Sequence, residues 1–65
     1  GRNSDADFAR FLSIASGSAS ETEYLLLLAK DLLFIYDKTH EKLSNDVTEL
    51  KKMLFALIKK LRANC

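Results

Sequence analysis

With 65 residues, the chain holds one domain at most, and a core this small needs a disulfide, a metal or a partner. Its single cysteine, Cys65, excludes an internal disulfide, and one histidine with no Cys/His cluster excludes a structural zinc site. Ten basic and nine acidic residues leave a formal charge of +1, so net charge gives no reason to expect nucleic-acid or membrane binding. There is no proline, the only glycines are Gly1 and Gly17, and no period-2 alternation marks a strand. The composition is that of long helices. The chain opens on Gly1 rather than Met, which fits a piece of a longer product or a tag remnant.

Gly1 to Asn3 read as an entering coil. Ser4 and Asp7 form a capping-box-like start, with Asp5 and Asp7 in the positively polarised first turn. The spacing predicts a first helix over about 5–34, roughly 45 Å long. Two apolar stripes run along it at 3-4-3-4 spacing. One is Phe8, Leu12, Ala15, Ala19, Thr22, Leu26, Ala29, Leu33; the other is Phe11, Ile14, Ser18, Glu21, Leu25, Leu28, Leu32, Ile35. One stripe serves one neighbour, so two adjoining stripes mean a helix pressed on from two sides. Ala15 to Ser20 is a block of small residues that lets a neighbouring backbone come close. Gly17 is a weak point there, costing roughly 1 kcal/mol relative to Ala, but both stripes keep register through it and the helix is expected to continue. From Tyr24 to Tyr36 apolar residues point in nearly every direction, which calls for enclosure beyond one partner helix.

The turn is expected near Phe34 to Lys38, with Asp37 as N-cap. A second helix is predicted over about 38–62, with the seam Leu43, Val47, Leu50, Leu54, Leu57, Leu61, widened by Met53 and Ile58. Lys59, Lys60 and Arg62 sit where cations meet the negative helix end. The short connection makes the helices antiparallel neighbours. The fold expected is all-α: an antiparallel two-helix hairpin forming half of an up-down four-helix bundle, completed by further N-terminal helices or by another copy. The apolar run Tyr24 to Ala29 is too short to span a bilayer, and no secretory signal is visible. A cytoplasmic location is the expectation.

No catalytic, cofactor or metal constellation is expected. His40 opens the second helix, where an imidazole is ordinarily solvated; no serine has a His/Asp pair at a useful spacing; Glu21 and Glu23 lie on different helix faces. Glu21 falls on an apolar stripe. It reads either as a buried structural acid paired with an arginine outside this hairpin, or as a flanking acid whose head reaches water. Lys52, Phe55, Lys59 and Arg62 form an outward line on the second helix. Cations interleaved with an aromatic can contact a phosphate backbone, but a solvated charged face, with Phe55 touching a neighbouring subunit, is the plainer reading. Cys65 reads as an inert terminal thiol.

Several segments also carry a resemblance. Gly1-Arg2, Phe8 to Ala15, Gly17 to Glu21, Leu28 to Leu32 and the run Leu50-Lys51-Lys52-Met53-Leu54 with Leu57, Ile58 and Leu61 resemble the four-helix-bundle proteins encoded in intervening sequences of bacterial large-subunit ribosomal RNA genes. Accessory proteins of diversity-generating retroelements belong to the same structural group. The resemblance covers almost the whole chain but only the second half of the family domain, in which two helices precede the Gly-Arg junction. It implies a bundle that assembles into a ring, typically a homopentamer, with an association with nucleic acid. The family often breaks this helix at a glycine after the position of Leu32, where this chain has Leu33-Phe34. Three readings follow. The first is a non-enzymatic oligomeric bundle protein with weak electrostatic RNA or DNA binding through Lys52, Lys59 and Arg62. The second is a structural or protein-interaction module with Phe55 and Tyr24 as contacts, and the third a Rop-like RNA-binding homodimer.

Overall fold

A computed structural model describes residues 2–63. They form two helices, α1 (Arg2–Asp31) and α2 (Asp37–Ala63), and no strand among the described residues. Bonds from Arg62 to Ser13 and from Lys51 to Glu23 fix the pair as antiparallel. The result is a rod 47 × 14 × 11 Å.

Helix α1 starts at Arg2, ahead of the Ser4 cap expected from the sequence. Arg2, Asn3 and Ser4 are all compatible with helical backbone, and no proline or glycine stops the helix extending through them. The helix passes unbroken through Gly17, whose φ is negative and whose missing Cβ would touch nothing within 4 Å.

The end of α1 departs from the expected Phe34. The helix stops at Asp31, and Leu33 adopts a left-handed conformation with φ 64°. The Leu33 amide donates to the Lys30 carbonyl at 2.9 Å and the Phe34 amide to the Ala29 carbonyl at 2.8 Å. These are the paired 5→2 and 6→1 bonds of a Schellman ending, which satisfies the last carbonyls and normally places glycine at the left-handed residue. Leucine occupies that place here. Helix α2 opens when the His40 amide donates to the Tyr36 carbonyl at 2.9 Å, so Tyr36 is the backbone cap and Asp37, expected as the cap, lies in the first turn. Its carboxylate is still well placed against the helix's positive end.

The seam between the helices is rotated from the predicted stripes. On α1 it runs Asp5, Ala9, Leu12, Ser16, Ala19, Glu23, Leu26, Lys30, and on α2 His40, Ser44, Val47, Lys51, Leu54, Ile58, Leu61, each with 4-3-4-3 spacing and each buried or half-buried. Leu12, Ala19 and Leu26 of the first predicted stripe and Val47, Leu54 and Leu61 of the predicted α2 seam lie in it. Phe8, Ala15 and Thr22 do not; Leu43, Leu50 and Leu57 are only partly covered at its edge. The second predicted stripe lies outside the hairpin altogether, except for half-buried Ile35 in the turn. The deepest residues are mostly small: Ala9, Ser16, Ala19 and Ile58. Small side chains let the helix axes approach closely, but they bury little apolar area.

Candidate interaction faces

The seam divides the remaining surface into two sides. In an antiparallel pair, residues just after each seam position on one helix meet their counterparts on the other, and residues just before them meet on the opposite side. Contacts locate the first side. Arg62 Nη2 donates to Ser13 Oγ at 3.5 Å, and Ser20, Tyr24 and Leu27 of α1 line a groove of about 400 Å³ with His40 and Ser44 of α2. His40 is therefore not simply solvated: it is half-buried, with Nε2 3.1 Å from Ser44 Oγ one helical turn away.

The predicted cationic line lies on this first side. Lys52, Phe55, Lys59 and Arg62 fall along about 15 Å of α2. All four are exposed. Lys52 is held by Glu49 at 3.3 Å, a solvated i,i+3 pair that contributes little to stability and dilutes the local positive charge. Tyr24 and Phe55 are both exposed on this side as well.

Glu21 sits at the surface of the hairpin, facing away from α2. The carboxylate between the helices is Glu23, 3.1 Å from Lys51 Nζ, with both groups partly shielded. Sequence reading passed over this pair because Glu23 and Lys51 lie beside the predicted stripes rather than on them. Their signal was opposite charge at matching height in an antiparallel hairpin. Cys65 lies outside the described residues.

The second side is apolar. Phe8, Phe11 and Leu25 of α1 and Leu32 just past its end lie on the same side as Leu43, Leu50, Met53 and Leu57 of α2, all exposed in the hairpin. Ile14 and Leu28 carry the apolar surface round the back of α1. Total accessible surface is 5176 Å² for 7.3 kDa. A compact monomer of that mass exposes about 4,200 Å², so the hairpin shows about 1,000 Å² more. No helix among the described residues is long and apolar enough to cross a membrane.

Fold and faces together define a long antiparallel α-hairpin with three cations along one side and its larger exposed apolar cluster on the other. The family model described as 23S rRNA-intervening sequence protein matches residues 1–56, and the chain belongs to that family. Leu57, Lys59 and Arg62 lie beyond the matched span. No curated protein and no solved structure matches the chain.

Proposed function

We propose that this protein is a non-enzymatic helical assembly module whose cationic side associates weakly with RNA or DNA. The observation that carries the reading is the segregation of its surface. The larger apolar cluster lies on one side of the rod, while Lys52, Lys59 and Arg62 stand on the other, beside exposed Tyr24, Leu27 and Phe55, and stay accessible when that cluster is covered. A helix exposing this much apolar surface is stable only when a neighbour covers it. Three cations over about 15 Å can follow a phosphate backbone but give it no sequence information.

Binding of a single-stranded RNA followed at several salt concentrations tests the nucleic-acid part. Three phosphate contacts give a slope of log K against log salt of about −2. Reversing Lys52, Lys59 and Arg62 to Glu abolishes binding without changing the assembly state. Binding indifferent to salt, or untouched by the triple reversal, discards this part.

Tyr24 and Phe55 favour a second reading. Two exposed aromatics on the cationic side, with Lys52 already paired to Glu49, suit a protein partner. Under that reading Tyr24→Ala and Phe55→Ala remove a protein partner from pulldowns, and nucleic acid is absent from them.

A further inference from the structure

We propose that the cationic side takes its nucleic acid as a single strand, with unpaired bases covered by Tyr24 and Phe55 and one base lodged in the groove between Tyr24 and His40. The proposal rests on the nucleic-acid reading above and deepens it by naming the form of the ligand and the residues that hold its bases.

The accessible rings carry the first part. Tyr24 is 63% exposed and Phe55 56% exposed, on the side that holds Lys52, Lys59 and Arg62. Phe55 falls between Lys52 and Lys59, about one helical turn from each. A duplex keeps its base faces stacked inside and offers an outward ring only sugar and phosphate. A single strand offers unstacked bases, each with a face that an aromatic ring can cover. Cations that track the backbone, beside rings that cover the bases, are the two elements such a surface needs.

The groove carries the second part. It holds about 400 Å³ in the half of the rod nearer the turn, between Ser20, Glu23, Tyr24 and Leu27 of α1 and His40 and Ser44 of α2. Tyr24 and Leu27 give a planar base apolar contact. The Ser20 and Ser44 hydroxyls and the His40 imidazole give its edge donors and acceptors. His40 Nε2 and Ser44 Oγ hold each other at 3.1 Å, which fixes both at the groove wall. Glu23, the acid of the lining, is tied to Lys51 at 3.1 Å, and that cation offsets its repulsion of a phosphate.

Charge favours nucleic acid over a protein on this surface. From Thr48 onward the α2 positions on this side are Thr48, Lys52, Phe55, Lys59 and Arg62, with no acid among them. Among the described residues, Arg62 donates to the neutral Ser13 hydroxyl and Lys59 enters no ion pair. From Ser44 to Arg62 the surface follows α2 for about 27 Å. That length serves several nucleotides at about 3.4 Å or more each.

Titration with an oligouridylate about ten nucleotides long, and with an RNA duplex of equal length, tests this at several salt concentrations. In a Tyr36→Phe background Tyr24 is the only tyrosine, and the sequence has no tryptophan. Its emission is expected to be quenched by the single strand and not by the duplex. Tyr24→Ala and Phe55→Ala are each expected to weaken single-strand binding about five- to a hundredfold, with the salt slope and duplex binding unchanged. Tyr24→Phe keeps the ring face and is expected to keep most of the affinity. Circular dichroism checks that each variant folds, and the comparison of strand with duplex needs no variant. Equal affinity for the duplex, unquenched emission, or removal of either ring without effect overturns this inference and leaves the backbone-contact reading standing. Absence of salt-dependent binding to either form overturns both. So does loss of a protein, rather than of RNA, from pulldowns with the two alanine variants.

Discussion

The most unusual residue in the hairpin is Leu33. Its left-handed backbone costs an L-residue with a Cβ about 1 kcal/mol or more, and its side chain is 88% exposed, recovering nothing within the hairpin. Glycine takes that conformation without strain. Leu33→Gly is therefore expected to stabilise the fold by about 1 kcal/mol, a rise of roughly 4–8 °C in Tm for a chain of this size. A thermal melt followed by circular dichroism checks it. A fall in Tm instead means that the leucine side chain is held by a neighbour, and that its contact outweighs the strain. The sequence alone placed the turn between Phe34 and Lys38. It could not place the reversal at Leu33, because leucine is a strong helix former and carries no turn signal. The glycine that the resemblance implies after the position of Leu32 was the available clue, since a left-handed helix ending ordinarily takes glycine.

At the scale of the elements, the two helices, their order and their antiparallel sense were readable from apolar spacing, the short connection and the absence of proline. Which face turns inward was not. Leu12, Ala19 and Leu26 belong both to the predicted stripe and to the seam, so periodicity located the region but left its rotation open by about one residue. The wider apolar stripe is the one left facing outward, and the seam accepts Ser16, Glu23, Lys51 and His40 instead. A helix that carries two apolar stripes need not turn the more apolar one to its neighbour, since the seam needs only enough apolar area to close. The cationic line survives as a line because Lys52, Phe55, Lys59 and Arg62 share a side at any small rotation. The Glu21 reading was sensitive to rotation, and the acid between the helices proved to be Glu23. Continuity of α1 through Gly17 gives a prediction at this scale. An added Cβ meets open space, so Gly17→Ala is expected to raise stability by about 1 kcal/mol through helix propensity alone, measured as a shift in urea midpoint at unchanged m-value. A loss of stability would place another backbone against this point of the cationic side.

At the scale of the whole molecule, what matters is how little the hairpin encloses. Ala9, Ser16 and Ala19 make up most of its deepest layer, and no described side chain is less than 2% exposed. Two helices of this length lose backbone freedom at every residue, at about 1–2 kcal/mol each, and burial between them must offset nearly all of it. Small residues supply little of that area, which is why the proposed assembly adds a second layer. Under the proposed assembly, folding and association are one event. The midpoint of thermal unfolding should rise with total chain concentration, because mass action favours the state that hides the apolar side. Melts over a hundredfold range of concentration check this directly: an association-linked transition moves upward by several degrees, whereas a self-sufficient hairpin melts at one temperature throughout. Met53→Glu sharpens the test, since Met53 is 66% exposed in the hairpin but would carry a charge into the face proposed to be covered. The substitution is expected to lower the melting point most at low concentration and to leave helix α2 intact wherever the chain is still folded.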